Sequence, residues 1–380
     1  MGDNNKQDIF TPYLYIFLYQ LPMEQQIPDR IRIKDIAIMA GVSVGTVDRV
    51  LHNRPGVSLA SAEKVRKILK EMNYQPNMYA SALASNKKYH FVCLLPKHNE
   101  GEYWSDVEAG ALQCMNEMHD FHITLSMVYY DQYDIDSFVK SIKLVMDKEP
   151  DGVILSPVEE DNTKKLTDML QEKEIPYVFI DSNIDNLEPI AFFGQNSSRS
   201  GALAAKMLLM IEPGIKEVVI FRQIYIGRIG TNQQNNRELG FEEYMRKNHP
   251  DCELSTIDLA MNNKEHDMEV MRKYFERHEN VTIGLTFNSK AYLISEYLQE
   301  LDKNDFRLIG YDLLEQNVEF LKNGNNIQFL IAQQPHQQGY RAVTSLCDHL
   351  IFHKEVEQIN YMPIDLLCAE NIDYYTSLNK

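Results

Sequence analysis

A serine flanked by glycines is the first place where the sequence could carry chemistry. Gly41-Val42-Ser43-Val44-Gly45 matches the G-x-S-x-G nucleophile elbow letter for letter. That elbow exposes its serine on a sharp turn between a strand and a helix. The apolar residues before Gly41 recur at helical spacing instead, so the strand that the elbow requires is not predicted. We therefore predict no nucleophile at Ser43.

Two further patterns are too incomplete to form a site. His349 and His353 are four residues apart on a predicted helix, like the zinc-binding histidines of H-E-x-x-H, but Leu350 stands where that motif has glutamate. Gly227 and Gly230 are too few for a dinucleotide-binding loop, and we expect a turn there. The five cysteines are scattered without C-x-x-C spacing, which is typical of a reducing compartment. We predict no enzyme, no metal site and no cofactor.

The elements around Ser43 predict two short helices joined by a turn. The first helix has apolar residues at helical spacing, and the second packs back on it with its own apolar face: Ile33, Ile36, Ala37 and Ala40, then Val47, Val50 and Leu51. Gly41 ends the first helix because glycine adopts the left-handed conformation at little cost. Ser43 caps the second helix. This arrangement is typical of a helix-turn-helix, whose second helix enters the major groove of DNA.

Two more helices are predicted after this pair. Residues 58–72 form an amphipathic pattern with apolar Val65, Ile68, Leu69 and Met72. Residues 77–85 follow a proline and are rich in alanine, which predicts one further short helix. So short a helix is not stable alone in water. We therefore expect it to form only when another element holds it.

Charge divides the chain in the same place. Residues 28–90 contain 11 Lys and Arg against 5 Asp and Glu, whereas residues 91–380 contain 26 against 47, within a net charge of −17. Attraction to phosphate is local, because salt screens charges beyond about 10 Å. A basic head on an acidic body can therefore bind DNA, although the same count is compatible with an ordinary solvated face.

The head of the chain resembles the DNA-binding region of the LacI/GalR family of transcription regulators. The resemblance runs without a gap from about residue 31 to 85, through Asp35-Ile36-Ala37, Ala40-Gly41-Val42-Ser43, Thr46-Val47, Arg49-Val50-Leu51, Val57-Ser58, Asn73-Tyr74, Pro76-Asn77, Ala80 and Leu83-Ala84. It implies a set of DNA-contacting residues: Ser43, Val44, Gly45, Thr46, Arg49, His52, Asn53, Ser61, Tyr74, Asn77, Ala80 and Leu83. We also expect two copies of helix 77–85 to fold against each other on DNA, with Leu83 wedged into the minor groove.

In this family the recognition helix presents three of these positions to base edges. Arg49 is expected to donate two hydrogen bonds to a guanine, and Val44 to contact a thymine methyl group, whereas Gly45 offers no side chain. Asp48 replaces the usual serine and either accepts from a cytosine amine or orients Arg49. This helix is therefore predicted to make fewer contacts with bases than the recognition helix of typical members.

Beyond His90, short apolar strands alternate with helical stretches. Strands are predicted at 91–95, 122–129, 152–155, 177–180, 218–221, 254–259, 282–285, 307–309 and 327–331. Such alternation indicates parallel sheets with helices on both faces. This part resembles the periplasmic-binding-protein-like core of the same family. The resemblance implies two α/β lobes joined by three crossings, near Phe193, Gln333 and Pro363, with a ligand cleft between them.

The predicted fold class is α/β: an all-α helix-turn-helix DNA-binding domain, then a two-lobed periplasmic-binding-protein-like core of parallel sheets flanked by helices. The predicted domains are a disordered or mis-annotated extension (1–27), the helix-turn-helix domain (28–75), a hinge helix and linker (76–89) and a ligand-binding core (90–380). Lobe 1 comprises about 90–193 and 334–362, and lobe 2 about 194–333 and 363–380. Met23 lies shortly before the homology, and we hypothesise that translation starts there.

Local motifs of the family place ligand-binding residues at the predicted cleft. They are Asp181 after Phe179-Ile180, Arg237 in an R-x-x-G-[FW] motif, Asn288 in an N-D-x-x-A motif, Asp312 in a V-G-[YF]-D motif, Gln333 at a crossing, and the aromatics Tyr103 and Trp104. Ser289 departs from the family, which usually has aspartate there. The aromatics either stack on a sugar ring or pack in the core. Strand carboxyl ends are also where open α/β sheets bind ligands.

The resemblance implies a ligand-responsive regulator that binds near-palindromic operator DNA as a homodimer in the cytoplasm, without membrane association. Arg, Asn and Asp in one cleft can hydrogen-bond adjacent hydroxyls, which favours a sugar or polyol effector and a repressor of sugar or polyol utilisation genes. A purine or nucleoside is the alternative effector. The alternative function is a solute-binding protein of a sugar transporter, which would have no use for residues 31–85.

Overall fold

A computed structural model describes residues 31–51, 54–72, 74, 78–85, 87–225, 228–229 and 231–378. The predicted extension 1–27, the two glycines of the predicted turn and three candidate DNA contacts lie outside these residues: Gly227, Gly230, His52, Asn53 and Asn77. The chain divides into two compact units between Met78 and Tyr79. The predicted hinge segment 76–89 therefore spans the division.

The first unit contains the three helices that the sequence predicts. They are α1 (Ile33–Ala40), α2 (Val44–Leu51) and α3 (Leu59–Glu71). Gly41 ends α1 with a φ of 65°, and the Ser43 hydroxyl accepts a hydrogen bond from the Thr46 amide at 3.1 Å. The three helices enclose a small apolar core of Ile36, Ala37, Ala40, Val47, Val50, Ala62 and Val65. The predicted helix-turn-helix, with its glycine turn and serine cap, is confirmed.

A hinge helix, α4 (Met78–Ala84), precedes the core. The Tyr79 ring lies 4.6 Å from the Phe352 ring between centroids, and the Lys354 ammonium donates to the Tyr79 hydroxyl at 3.1 Å. Ala82 packs against the apolar core of the first sheet, whereas Leu83 remains 49% exposed. A helix this short is not stable alone, and its contacts with Phe352, Lys354 and the apolar core of the first sheet hold it in place.

The first sheet of the core is parallel throughout. Its order is β12-β5-β4-β3-β1-β2. The strands are β1 (Tyr89–Pro96), β2 (Ile123–Tyr130), β3 (Gly152–Leu155), β4 (Tyr177–Ile180), β5 (Ala191–Gly194) and β12 (Ile359–Tyr361), and the flanking helices are α5 (Tyr103–Glu117), α6 (Ile135–Met146), α7 (Glu160–Glu172) and α13 (Pro335–Leu350). One sheet with helices on both faces forms lobe 1.

The second sheet forms lobe 2 and has two antiparallel additions. Its order is β13-β11-β10-β9-β6, with β7 and β8 also paired to β6, and β13 and β7 run antiparallel to their neighbours. The strands are β6 (Glu217–Tyr225), β7 (Arg228–Ile229), β8 (Glu253–Leu259), β9 (Ile283–Thr286), β10 (Arg307–Tyr311), β11 (Ile327–Ala332) and β13 (Asp365–Leu367). The helices are α8 (Ser197–Ile211), α9 (Asn232–Asn248), α10 (Lys264–Phe275), α11 (Ala291–Glu300), α12 (Glu315–Lys322) and α14 (Ile372–Leu378).

All nine predicted strands are confirmed, whereas β5, β7, β12 and β13 have no counterpart in the prediction. Three crossings join the lobes, between β5 and α8, between β11 and α13, and between β12 and β13. The side chain of Gln195 connects the three crossings by hydrogen bonds. The Gln195 amide donates to the carbonyl oxygens of Ala332 and Pro363, each at 2.7 Å, and so links the first crossing to the other two.

Reciprocal glycines hold one helix pair in each lobe at very short range. Gly110 of α5 and Gly339 of α13 face each other in lobe 1, and Gly201 of α8 and Gly240 of α9 do so in lobe 2. A β-carbon would lie 1.9 Å from His336 O at Gly110, 1.9 Å from Val107 O at Gly339, 1.8 Å from Arg237 O at Gly201 and 2.1 Å from Ser198 O at Gly240. No larger residue fits these positions without moving backbone.

We expect Gly240→Ala to lower the free energy of unfolding by about 1–3 kcal/mol or more, because the added methyl group would force α8 and α9 apart. Gly214→Ala is the matched control, since nothing lies within 4 Å of a β-carbon there, and it should change stability by less than about 0.5 kcal/mol. Urea unfolding measures both. Equal midpoints for the two variants would contradict the close-packing interpretation.

The predicted histidine pair is corrected in one respect. Helix α13 ends at Leu350, and His353 follows it with a positive φ of 49°. The two histidines therefore do not share a helical face. Within the described ranges, no group of three or more His, Cys, Asp or Glu side chains is arranged to hold a metal ion, and no helix there is both long and apolar enough to cross a membrane.

Candidate functional site

A cavity of about 450 Å³ lies between the two sheets, at the carboxyl ends of their strands. All seven residues that the family motifs selected line this cavity: Tyr103, Trp104, Asp181, Arg237, Asn288, Asp312 and Gln333. Asp181 follows β4, Asp312 follows β10 and Gln333 follows β11. Parallel strands present their carboxyl ends at one edge of a sheet, so residues far apart in sequence meet there.

Arg237 is the most deeply buried charged residue of the cavity, at 1% exposure. Its guanidinium lies 4.1 Å from the centre of the Tyr311 ring, and its Nη1 donates to the Phe287 carbonyl at 2.8 Å. Its Nε and Nη2 atoms are buried without a hydrogen-bond partner. Buried donors in proteins are nearly always paired, and Arg237 is also one of the residues that line the cavity.

A hydrogen-bonded network fixes Asp181 on the opposite lobe from Arg237. Its Oδ1 accepts from the Tyr103 hydroxyl at 2.9 Å and from Gln233 Nε2 at 2.8 Å. Gln338 of α13 donates to the Tyr103 hydroxyl at 3.1 Å and accepts from the Asp181 amide at 3.0 Å. Burial raises the pKa of the Asp181 carboxyl, and the positive charge of Arg237 opposes that rise.

Asp312 is joined to Asp181 by two glutamines. Gln333 Nε2 donates to Asp312 Oδ1 at 2.5 Å, and Gln333 Oε1 accepts from Gln233 Nε2 at 2.7 Å. Burial raises the pKa of Asp312 to about 6, against the lowering effect of Arg237. Asp181 and Asp312 both have positive φ, 67° and 66°. Aspartate adopts this left-handed conformation more readily than most residues.

Ser289, which stands where the family usually has aspartate, changes the charge of the cavity wall. Asn288 Oδ1 accepts from the Lys290 amide at 2.8 Å, and Lys290 itself lines the cavity together with Ser289. Burial lowers the pKa of Lys290. A hydroxyl therefore lines the cavity at the position where the family motif has a carboxylate, and an ammonium lines it at the next residue.

The two lobes are bridged directly across the cavity. Gln223 Nε2 donates to the Tyr133 hydroxyl at 3.1 Å, and Asn232 Nδ2 donates to the Val158 carbonyl at 2.5 Å. Tyr133 and Val158 belong to lobe 1, whereas the two amides belong to lobe 2. The structure thus has its lobes closed around the cavity.

Sequence reasoning missed several residues of this network, including Gln223, Gln233 and Lys290. Gln233 is four residues before Arg237 on α9, so the two share a helix face. That spacing is the signal that could have identified Gln233 once Arg237 was selected. Gln223 carries no such signal, because its role depends on Tyr133 in the other lobe.

In the first unit, the recognition helix α2 presents its polar face to solvent. Ser43, Gly45 and Arg49 are exposed, and Val44 is 50% exposed. Thr46 is half-buried, with its hydroxyl 2.9 Å from that of Ser43. Asp48 forms an ion pair with Arg54 at 3.3 Å.

The remaining described candidates for DNA contact lie outside α2. Ser61 is half-buried, and its hydroxyl accepts a hydrogen bond from the Ser58 hydroxyl at 2.9 Å. Tyr74 packs against the apolar core of the first unit. Ala80 and Leu83 are exposed on α4. These two residues are therefore accessible, whereas the Tyr74 ring also contributes to packing.

Both parts of the chain match known families. Residues 32–77 match "Bacterial regulatory proteins, lacI family", and residues 92–355 match "Periplasmic binding protein domain". The transcriptional regulator DegA of Bacillus subtilis is 26% identical over 57% of this chain and 60% of its own length. The ribose operon repressor of Lactococcus lactis is 23% identical over 90% of this chain and 97% of its own length.

A solved structure is more similar. A crystal structure described as that of a LacI transcriptional regulator from Bacteroides fragilis is 51% identical, with a TM-score of 0.73, over 76% of this chain and 100% of its own. A helix-turn-helix unit followed by a two-lobed periplasmic-binding-protein-like core defines a class of DNA-binding regulators with a ligand cleft. This chain belongs to the LacI family of bacterial regulatory proteins.

Proposed function

We propose that this protein is a transcriptional repressor of sugar or polyol utilisation genes, released from or directed to its operator by an effector bound between the lobes. The observation that carries the proposal is one chain that combines an exposed recognition helix with a polar cavity lined by Arg237, whose Nε and Nη2 atoms have no hydrogen-bond partner in the protein. The alternative, a transport solute-binding protein, leaves the helix-turn-helix unit without a role. The repressor acts as a cytoplasmic homodimer on near-palindromic DNA.

The cavity residues suit a polyhydroxylated effector. Arg237 donates to two adjacent hydroxyl oxygens, and Asp312 and Asp181 accept from hydroxyl hydrogens, so one ring engages both lobes. Trp104 lies edge-to-face on Tyr103, 4.9 Å between centroids, and presents an aromatic surface to the apolar face of a sugar. Because the effector contacts both lobes, it stabilises the closed arrangement by as much as its affinity for the closed form exceeds its affinity for the open form.

Helix α13 connects the cavity to the hinge helix. Near its first residues, Gln338 contacts Tyr103 and Asp181. Just after its end, Phe352 and Lys354 hold Tyr79 of α4. A movement of the lobes on effector binding is therefore transmitted to α4 through one continuous helix. Effector binding thereby changes how often the hinge helices are positioned to enter the minor groove.

The direct test is a binding assay of the full chain on the DNA upstream of its own coding sequence. We expect a salt-dependent complex whose affinity changes with one class of compound among pentoses, hexoses, uronic acids, inositols and nucleosides. Failure to prefer this DNA over a scrambled duplex, with every compound, would overturn the repressor assignment. A response to nucleosides alone would overturn the sugar assignment and leave DNA binding intact.

We expect Leu83→Ala to weaken operator binding at least tenfold, because the exposed apolar side chain is lost from the minor-groove step that it would wedge open. Effector affinity should stay within a factor of two. Leu144→Ala is the matched control, since Leu144 is also exposed, at 54%, on α6 of lobe 1. Fluorescence anisotropy of labelled operator measures the DNA affinity of the unmodified protein and of both variants. Unchanged affinity in Leu83→Ala would argue against a wedge.

Effector affinity should fall as the pH decreases below about 6. Asp312 has a pKa of about 6, so it is largely ionised at pH 7 and accepts hydrogen bonds from hydroxyls. An effector that donates to the carboxylate lowers its pKa, so binding releases a proton below pH 6, and Kd rises by up to about tenfold per pH unit. Titrations between pH 7.5 and 5 measure this, and a constant Kd would show that the charge of Asp312 is not used.

A further inference from the structure

A second cavity of about 640 Å³ adjoins the first within the same cleft. The two cavities share six lining residues: Trp104, Gln132, Tyr133, Asp181, Gln223 and Thr231. The polar contact across this shared wall is the hydrogen bond from Gln223 to the Tyr133 hydroxyl, 3.1 Å long. A bond between two side chains can open without any change in the backbone, so one molecule can occupy both compartments.

The two compartments differ in chemistry. The first contains the charged groups Arg237, Asp312 and Lys290. The second shares Asp181 with the first and adds one carboxylate, Glu159, but contains no lysine or arginine. Most of its other residues that the first lacks are aromatic, aliphatic or neutral amides, among them Pro96, Tyr130, Ile135, Val158, Asn232 and Asn235. Flat apolar surfaces beside neutral amides suit a second uncharged ring with a hydroxylated edge and an apolar face.

We propose that the effector is a disaccharide or other glycoside, with one ring against Arg237 and Asp312 and the second in the adjoining compartment. This inference rests on the proposed effector role of the cleft and specifies its ligand class. Trp104 and Tyr133 line both compartments, so they contact the two rings on either side of the glycosidic linkage. A monosaccharide fills only the first compartment and leaves the amide of Asn235 to water.

Trp104 is the single tryptophan of the chain and lies in the shared wall, so its fluorescence reports occupation of either compartment. The probes are matched pairs: glucose with maltose and cellobiose, galactose with lactose and melibiose, and xylose with xylobiose. We expect one disaccharide to bind the full-length protein at least tenfold more tightly than its constituent monosaccharide. The same disaccharide should change operator affinity.

Two adjacent residues on α9 allow the two compartments to be tested separately, because each lines only one of them. Gln234 lines only the first cavity and Asn235 only the second. Asn235→Tyr should fill the second compartment and reduce the disaccharide-to-monosaccharide affinity ratio to near one. Asn235→Ala, which creates no clash, should lower the ratio in the same direction. Gln234→Ala should weaken both ligands together, and Asn248→Tyr, at the exposed end of the same helix, should change neither.

The outcomes separate this inference from the wider proposal. A monosaccharide that binds as tightly as its disaccharides, or an affinity ratio unchanged in both Asn235 variants, overturns the two-ring ligand and leaves the sugar effector in place. Absence of binding by every sugar of the panel overturns both. Tighter binding by a nucleoside than by any disaccharide also overturns the inference, because it assigns the second compartment to a base.

Discussion

Replacing Asp312 with asparagine is expected to lower effector affinity by about 10- to 150-fold and to remove the effector's influence on operator binding. A hydrogen bond to a charged group contributes about 1.5–3 kcal/mol, which corresponds to that range of dissociation constants. Asparagine retains the volume of Asp312 and an oxygen that accepts from Gln333. The variant therefore loses the carboxylate charge without leaving a hole in the cleft.

The measurement pairs two titrations on one preparation, of Trp104 fluorescence and of labelled-operator anisotropy. Asp302→Asn is the matched control, because Asp302 also has a positive φ, 55°, but is exposed and outside the cavity. It should behave like the unmodified protein in both titrations. Tight effector binding that survives in Asp312→Asn would place the effector site elsewhere.

Arg49→Ala should reduce the preference for operator over scrambled DNA by about 5- to 150-fold, because a bidentate arginine–guanine contact discriminates by about 1–3 kcal/mol. Arg49 is exposed on α2, and with Gly45 beside it few other side chains can read bases. Weak, salt-dependent binding to any duplex should remain, since other basic residues of the head still attract phosphate.

Arg66→Ala separates charge from base reading. Arg66 is an exposed arginine on α3 of the same unit, so its loss removes one positive charge and no recognition-helix contact. This control should weaken operator and scrambled DNA alike and leave their ratio unchanged. If Arg49→Ala behaves in the same way, Arg49 contacts phosphate and the base-reading assignment is wrong.

The helix-turn-helix was predictable because its information is local. Apolar spacing within single helices, the left-handed Gly41 and the Ser43 cap act over a few residues, and the structure has each where the sequence indicates. Nine core strands were predictable for the same reason, since each is a short segment rich in apolar residues. The prediction failed for His353, because the end of α13 is not marked by glycine or proline.

Only the tertiary structure decided how the cleft is built. Motifs selected seven residues, but the two unpartnered donors of Arg237, the glutamine chain from Asp181 to Asp312 and the Gln223–Tyr133 bridge join residues from separate strands and both lobes. Such contacts leave no periodic pattern in the sequence, because the partners are brought together by strand order and by the three crossings. The same reason explains β7, β12 and β13, which have only two or three residues each and become strands only by pairing with a neighbour. Length does not explain β5, which has four residues, as many as β3 and β4.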